Sequence, residues 1–156
     1  IAMKHYEKFN DKKSKVIDLA ADFRLDDANI RKDFYGEDHC IPEVISKITY
    51  GLSEINRENI RNSKIVANPG CYPTAALIPL YPLVKEGLID NNNIIIDAKS
   101  GYSGAGRKKL EDGLKNEIEN NFMAYGILEH RHRPEIDQEL SKMSKDKIKV
   151  LFTPHI

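Results

Sequence analysis

Cys71 is the residue of this chain that is best placed to act as a nucleophile. It follows a short apolar segment and the pair Pro69-Gly70, and it precedes a long apolar stretch. This order predicts a strand, a tight turn and a helix, with the sulfur at the helix N-terminus. Unpaired amides and the helix dipole favour a thiolate there, and Gly70 leaves room for a substrate carbonyl. The alternative, a buried cysteine that packs as a small hydrophobe, is the expectation for Cys40, which follows His39 in a predicted loop.

A nucleophilic cysteine needs a partner that accepts and returns a proton, and His130 and His132 are the candidates. Their spacing does not choose between them. Glu135 follows closely and can orient one imidazole, while the neighbouring arginines can bind phosphate or carboxylate. Two other interpretations stay open: a solvent-exposed basic loop, and a zinc site formed by both histidines and Glu135. The zinc site is disfavoured because residues two apart point in opposite directions along a strand, and no third strong ligand is evident.

A loop rich in glycine and serine, residues 100–107, follows a predicted strand. Backbone amides in such a loop can cradle a phosphate or lie close to a nicotinamide ring. Since glycine-rich connections are usually only turns, this loop indicates a binding site only in combination with Cys71 and the two histidines.

The elements that must position these residues alternate between strands and helices. Apolar runs predict strands at residues 16–19, 64–67, 94–98 and 147–152, and an extended loop or edge strand at 40–50. Helices are predicted at 26–34, capped by Asp26-Asp27, and at 56–62, 74–86, 108–121 and 134–143. Pro79 and Pro82 are expected to kink or break the helix at 74–86. Because several connections look too short for parallel crossovers, we expect an α/β fold whose catalytic domain is of the α+β type, with a mixed, largely antiparallel sheet faced by helices.

The composition excludes several functional classes. The 156 residues carry 24 basic and 24 acidic side chains, and this zero net charge argues against a nucleic-acid-binding protein. No apolar run is long enough for a membrane span, and no signal peptide opens the chain. Two cysteines suit neither a disulfide framework nor a four-ligand zinc site, which indicates reduced thiols in a cytoplasmic protein. Because the chain starts at Ile1 and stops directly after a predicted strand, we expect it to be part of a longer protein.

The segment Asn68-Pro69-Gly70-Cys71-Tyr72-Pro73-Thr74-Ala75 resembles the active-site signature of N-acetyl-gamma-glutamyl-phosphate reductases. Residues 18–25, 50–52, 100–107, 130–136 and 152–155 are similar to further segments of the same family, in the family's order. The resemblance covers the chain from about Val16 to its end, and residues 108–121 contribute little to it.

The resemblance implies a two-domain subunit, related in architecture to aspartate-semialdehyde and glyceraldehyde-phosphate dehydrogenases. Residues 1–63 would be the end of a dinucleotide-binding domain, whose glycine-rich turn is absent here. Residues 64–156 would be a catalytic and dimerisation domain, as in the C-terminal domain of glyceraldehyde-phosphate dehydrogenase. The expected assembly is a homodimer or homotetramer with a small-molecule substrate, and neither nucleic acid nor a membrane is an expected partner.

The family's chemistry implies NADPH-dependent reduction of N-acetyl-L-glutamyl 5-phosphate to the 5-semialdehyde, with release of phosphate, in arginine biosynthesis. Cys71 would carry the acyl group as a thioester, and His130 would be the acid/base, with His132 as the alternative. The residues expected to contact substrate are Asn68, Arg107, Arg131, His132, Arg133 and Glu135. Those expected to contact NADP are Ser103, Gly104 and Gly106, and no metal is expected.

Rival interpretations remain open at this point. A sister reductase of lysine biosynthesis, acting on a carrier-bound aminoadipyl phosphate, would use the same chemistry. Aspartate-semialdehyde dehydrogenase fits the Gly70-Cys71-Tyr72-Pro73 segment and the histidine pair poorly. A different class of function is a non-catalytic dimerisation or substrate-binding module that does not bind NADPH with useful affinity.

Overall fold

The computed structural model describes residues 2–10, 13–105 and 121–156. Within them the strands are β1 (Val16–Asp18), β2 (Thr49–Tyr50), β3 (Ile65–Ala67), β4 (Ile95–Lys99) and β5 (Leu151–His155). The α-helices are α1 (Tyr6–Asn10), α2 (Ala28–Tyr35), α3 (Ser53–Asn62), α4 (Cys71–Lys85) and α5 (Arg133–Ser141). Short 3₁₀ helices cover Ala2–His5, Pro42–Lys47 and Tyr102–Ala105.

The first sheet has the strand order β1-β3-β2, and its strands run parallel. Val16 lies opposite Ile65, and Tyr50 lies opposite Ala67. Buried apolar side chains from the N-terminal helices, the strands and the loops form a core cluster here: Ala2, Met3, Tyr6, Phe23, Val44, Ile65 and Ala67. Strand β3 therefore pairs within the first sheet, although the division predicted after residue 63 assigns it to the second part of the chain.

The second sheet consists of β4 and β5, which pair in parallel from Ile95 opposite Leu151 to Lys99 opposite His155. Helices α4 and α5 pack against each other. A core cluster joins helices and strands in this part: Tyr50, Leu52, Tyr72, Ala76, Leu77, Val84, Ile94, Ile136, Leu140, Ile148, Val150 and Phe152. Since Tyr72 belongs to this cluster, the core fixes the first turn of α4.

The α/β class is confirmed, but the expected strand direction is wrong for the described residues. The ladders of both sheets are parallel, and the antiparallel pairing within the described ranges is a bridge between Ala124 and His155. The predicted elements already leave long connections: the helix predicted at 56–62 lies in α3, which separates β2 from β3, and residues 100–150 separate β4 from β5. Connections of this length permit parallel crossovers.

Helix α4 is continuous over Cys71–Lys85, so the expected break at Pro79 and Pro82 does not occur. Both prolines lie on the exposed side of the helix, together with Ala75 and Ile78. Those two residues lie four positions before the prolines, and their carbonyls lose an amide partner. Water can hydrate the freed carbonyls on this face, while the opposite face keeps its core contacts.

The start of α2 follows the sequence pattern, because the side chain of Asp27 accepts hydrogen bonds from the amides of Asn29 and Ile30. Residues 40–50, expected to be an extended loop or edge strand, do end in the edge strand β2, but most of the segment is not extended. A 3₁₀ helix covers Pro42–Lys47 before the short strand β2. Pro42 is the first residue of this helix, and the fixed φ of proline suits that position.

The strand predicted at residues 94–98 is β4, but it is covered on one face only: Ile95 is 65% exposed. The helix predicted at residues 108–121 falls outside the described ranges up to residue 120. None of the helices in the described part of the chain is long and apolar enough to cross a lipid bilayer.

Candidate active site

Cys71 is the first residue of α4, and Gly70 caps this helix with extended backbone angles of φ −66° and ψ 158°. The chain therefore turns from β3 into α4 within residues 68–70. Cys71 is exposed and borders a cavity of about 380 Å³. The strand, turn and helix expected from the sequence are present, and the cysteine lies at the helix N-terminus, where backbone amides are unpaired.

Two buried side chains hold the turn that precedes Cys71. The amide of Gly70 donates a hydrogen bond of 2.8 Å to Oε1 of Glu135. The carbonyl of Asn68 accepts a hydrogen bond of 2.7 Å from Nε of Arg24. The turn is thus fixed both through an amide and through a carbonyl, which restricts where the following helix can begin.

His130 and His132 both line the cavity that Cys71 borders. Their ring centroids are 4.9 Å apart, and the amide of His132 donates to Nδ1 of His130 at 3.2 Å. His130 is half-buried, with the rings of Tyr72 and Tyr125 at 5.6 Å and 5.4 Å. His132 is more deeply buried, with 7% of its surface exposed. The structure therefore brings both candidate acid/base residues to the same cavity as the cysteine.

His132 packs directly against the backbone of the turn. A Cβ atom placed on Gly70 would lie 2.6 Å from its Nε2, so only glycine fits there without displacement. Burial is the main cause that lowers the pKa of His132 to about 3, with smaller contributions from the nearby His130, Arg24 and Arg131. The His132 imidazole is therefore neutral near pH 7. Its Nδ1 has no hydrogen-bond partner among the described residues.

Glu135 lies beneath the turn and does not line the cavity. It is 0% exposed, and its Oε1 accepts hydrogen bonds of 2.8 Å from the Gly70 amide and from the Tyr50 hydroxyl. Nη1 of Arg24 is 3.8 Å from Oε2, an oxygen that accepts no hydrogen bond from the residues the structure describes. Burial raises the pKa of the Glu135 carboxyl, against the opposing effects of the Gly70 amide, Arg24 and Tyr50.

The cavity wall combines aromatic, cationic and small residues from separate parts of the chain. Its lining is Phe34, Cys71, Tyr72, Gly104, Tyr125, Gly126, Glu129, His130, Arg131, His132 and Ile156. Sequence reasoning assigned no role to the tyrosines, although Tyr72 directly follows the cysteine. The Tyr72 and Tyr125 hydroxyls are 3.1 Å apart, and the Tyr72 hydroxyl also donates to the carbonyl of His155 at 3.3 Å.

The two arginines beside the histidines lie in different surroundings. Arg131 is exposed and lines the cavity. Arg133 does not line it: Nη1 donates to the carbonyl of Leu128 at 2.8 Å, and Nε lies 3.7 Å from Asp137.

The remaining predicted site residues are divided among the cavity, its edge and the undescribed segment. Gly104 lines the cavity. Ser103 precedes Gly104 in the 3₁₀ helix Tyr102–Ala105 and is not part of the cavity lining. The Asn68 side chain donates to the carbonyl of the next residue and does not line the cavity. Gly106 and Arg107 lie outside the described residues.

A larger cavity, of about 560 Å³, is bordered by Tyr50, Asn56, Lys85 and Lys142 among others. Its described lining contains neither cysteine nor histidine. Size alone therefore does not identify the site, whereas a nucleophile with two adjacent imidazoles does.

Residues 71–156 match the family model described as semialdehyde dehydrogenase, dimerisation domain. The chain belongs to the semialdehyde dehydrogenase family. Residues 1–63 match a second model of that family, described as semialdehyde dehydrogenase, NAD binding domain. The match to the dimerisation-domain model begins at Cys71, the residue that the geometry places at the cavity.

Proteins named N-acetyl-gamma-glutamyl-phosphate reductase are similar to most of this chain. The one from Lachnoclostridium phytofermentans is 47% identical over 144 residues, which are 92% of this chain and 42% of that protein. A probable chloroplastic one from Oryza sativa subsp. japonica is 52% identical over 142 residues, 91% of this chain and 34% of that protein. The chain spans less than half the length of these curated relatives.

Among solved structures, aspartate semialdehyde dehydrogenase II from Vibrio cholerae has a similar fold, with a TM-score of 0.64. The match covers 99% of this chain and 48% of that chain, at 20% sequence identity. This likeness confirms the expected α/β fold class of the semialdehyde dehydrogenases.

Proposed function

We propose that the protein containing this chain reduces N-acetyl-L-glutamyl 5-phosphate to N-acetyl-L-glutamate 5-semialdehyde and releases phosphate, in arginine biosynthesis. The observation that carries the proposal is the cavity shared by Cys71, His130 and Arg131. It combines a nucleophile, a proton carrier and a cation around one space, which is what reduction of an anionic acyl phosphate requires. The names of the similar proteins supply the choice of substrate.

In the proposed reaction, the Cys71 thiolate attacks the acyl carbonyl, the bond from that carbon to the phosphate oxygen breaks, and phosphate leaves. The exposure of Cys71 and its position at the start of α4 support this role. Unpaired amides in the first turn of a helix favour negative charge, both on the thiolate and on the carbonyl oxygen during attack.

NADPH is the proposed cofactor, and when bound it supplies the hydride that takes the Cys71 thioester to the aldehyde level. The residues present fit a nicotinamide ring, because Gly104 is exposed, has no side chain and lines the same cavity as the cysteine. Ser103, Gly104 and Gly106 are the proposed contacts. The match of residues 1–63 to an NAD binding domain supports a nicotinamide cofactor, and the choice of NADP is part of the proposal.

His130 is the proposed acid/base: it holds Cys71 ionised and protonates the oxyanion that forms on hydride addition. Its half-buried ring on the cavity wall suits this exchange of protons. His132 suits it less, because a pKa of about 3 makes its imidazole a weak base that does not hold a proton taken from Cys71 near pH 7. The neutral ring of His132 can still donate one hydrogen bond.

Arg131 is the proposed contact for the phosphate or carboxylate of the substrate, since it is exposed on the cavity wall. Arg107 is a further candidate from the undescribed segment. The contacts of Arg133 with Leu128 and Asp137 favour a role in holding the loop. A planar guanidinium binds either anion through two parallel hydrogen bonds.

The proposed organisation follows from the same reasoning. Residues 1–63 form the end of a dinucleotide-binding domain, and residues 64–156 form most of the catalytic and dimerisation domain. We propose a homodimer or homotetramer in the cytoplasm, and the match to a dimerisation domain supports an oligomer.

The test is steady-state kinetics of the full-length protein with Cys71→Ser, and with Cys40→Ser as the matched control. Both cysteines are exposed, so the expected burial of Cys40 is wrong, but Cys40 does not line the cavity. We expect Cys71→Ser to lower kcat by at least about 10³-fold and Cys40→Ser to leave it within about twofold. Substantial turnover by Cys71→Ser would refute the thioester mechanism. A preference of the unmodified protein for carrier-bound aminoadipyl phosphate would refute the substrate assignment instead.

A further inference from the structure

Glu135 is the point at which four segments of the chain meet, yet the proposed reaction gives it no role. It receives the amide of Gly70 from the cysteine turn and the hydroxyl of Tyr50 from β2. Arg24, from the loop after β1, lies beside its second oxygen. We propose that Glu135 is a positioning residue, which fixes the Cys71 nucleophile through the Gly70 amide and does not contact substrate.

Burial separates this role from substrate binding. Glu135 is 0% exposed and does not line the cavity, whereas Cys71 and His132 do. The second carboxylate oxygen of Glu135 faces the backbone of Gly70, since a Cβ atom placed there would lie 3.1 Å from Oε2. The carboxylate therefore contacts the turn from inside the protein, and the cysteine faces the cavity on its other side.

The first turn of α4 explains why a carboxylate from another helix is needed. In a capping box, a glutamate at the third helical position of the same helix accepts a hydrogen bond from the capping residue's amide. In α4 the third position is Pro73, which has no group that can accept this bond, and the cap is Gly70, which has no side chain. Glu135 of α5 supplies the missing acceptor at 2.8 Å.

Arg24 completes the support from the opposite side of the turn. Its Nε donates to the carbonyl of Asn68 at 2.7 Å, and its Nη2 donates to the carbonyl of Leu19 at 3.0 Å. The same guanidinium lies 3.8 Å from Glu135. The Arg24–Glu135 pair thus connects the loop after β1, the cysteine turn and α5. This pairing offsets part of the cost of burying the carboxylate.

The matched control is Glu139, a second buried glutamate on α5, one helical turn further along. It is 2% exposed, and its Oε1 accepts hydrogen bonds from Gln138 and Lys142, both at 2.7 Å. None of these contacts reaches the cysteine turn. Replacing either glutamate removes a buried carboxylate from the same helix, but only Glu135 holds the Gly70 amide.

The experiment compares Glu135→Leu, Glu135→Gln, Tyr50→Phe and Glu139→Leu in the full-length protein, with two readouts. One is the rate of alkylation by iodoacetamide at Cys71 relative to Cys40, measured by mass spectrometry. The other is the separation of kcat from KM. A merely structural role would lower the unfolding midpoint of both leucine variants without changing the alkylation ratio of either.

We expect Glu135→Leu to lower the alkylation ratio about 10-fold and kcat about 100-fold, because a displacement of roughly 1 Å at a reacting atom costs that much. Glu135→Gln should recover most of the ratio, since its amide oxygen can still accept from Gly70. Tyr50→Phe should lower kcat about 10-fold, with KM within about threefold. Glu139→Leu should leave both readouts within about threefold of the unmodified protein.

Equal alkylation ratios in Glu135→Leu and Glu139→Leu would overturn the positioning role. If Glu135→Leu does not fold, Tyr50→Phe decides, and an unchanged kcat in that variant would overturn it as well. The kcat readout rests on the proposed function, but the alkylation readout does not. A protein that is inert toward acyl phosphates and still shows the Glu135-dependent ratio would refute the proposed function and leave the positioning role in place.

Discussion

Replacing Gly70 with alanine perturbs the candidate site where the cysteine turn packs against His132 and Glu135. The backbone angles of Gly70, φ −66° and ψ 158°, are open to alanine, so the change acts through its added methyl group alone. That Cβ atom would lie 2.6 Å from Nε2 and 2.8 Å from Cδ2 of His132, and 3.1 Å from Oε2 of Glu135. Separations below about 3.0 Å require a neighbour to move.

The atoms around the added methyl group have little freedom to move, and this determines how much stability the substitution is expected to cost. The ring of His132 lies against the rings of His130 and Tyr72, with centroids at 4.9 Å and 5.8 Å, and Glu135 is fully buried. Overpacking at such a position costs about 1–3 kcal/mol. The smaller entropy of the unfolded alanine chain offsets about 0.4–1 kcal/mol of this. We therefore expect a net loss of about 0–2.6 kcal/mol, and a fall in kcat of roughly 10- to 100-fold as the cysteine turn shifts.

The assay is urea unfolding of the full-length protein together with its steady-state kinetics. Gly101→Ala is the matched stability control, because its nearest neighbouring atom is Oγ of Ser103 at 4.0 Å. That variant should show no loss of stability, and a gain of at most about 1 kcal/mol from the smaller entropy of its unfolded chain. If Gly70→Ala is as stable and as active as the unmodified protein, His132 does not pack against the turn, and the reasoning is refuted.

Further predictions concern pH, packing and capping. The pKa of His132 is lowered to about 3 in the folded chain. Between about pH 6.5 and pH 3, His132 is therefore protonated in the unfolded chain but not in the folded chain. The stability that comes from this residue is thus present above pH 6.5 and lost as the pH falls towards 3. Between pH 7.5 and pH 5 the unmodified protein should lose ~2 kcal/mol of stability more than His132→Asn does, as measured by urea unfolding at both pH values. Gly51→Ala should destabilise by about 1–3 kcal/mol in urea unfolding, because its Cβ atom would lie 2.7 Å from Cγ1 of Val66 and 2.9 Å from the carbonyl oxygen of Ala67; a loss below about 0.5 kcal/mol would contradict this. Asp27→Ala should cost about 1 kcal/mol by removing the cap of α2, and an unchanged midpoint would mean that water replaces it.

The position of Cys71 could be predicted from the sequence because its causes are local. An apolar strand, a Pro-Gly pair and an apolar helix lie within a few residues of one another, and each has its own pattern. The cap of α2 by Asp27 is local in the same sense. Strand direction is not determined locally, because it depends on where a long connection returns. No pattern in residues 100–150 indicates how β5 returns beside β4.

The support beneath the cysteine could not be predicted, because its members are far apart along the chain. Glu135 is 65 positions from Gly70 and 85 positions from Tyr50. Arg24 and Tyr50 lie in segments that resemble the reductase family, but no spacing rule indicates that their side chains meet. A polar residue that is buried at a distance in sequence from its partners becomes interpretable only when the fold brings those partners together.

The central claim, that Cys71 carries the acyl group, is tested most directly by trapping the thioester in the reverse direction. The full-length protein is mixed with N-acetyl-L-glutamate 5-semialdehyde and NADP⁺ without phosphate, so that only slow hydrolysis can release the acyl group. We expect a burst of about one NADPH per subunit, and mass spectrometry should find an N-acetylglutamyl group on the peptide that contains Cys71. No burst in the unmodified protein, or an acyl group on a residue other than Cys71, would contradict the account.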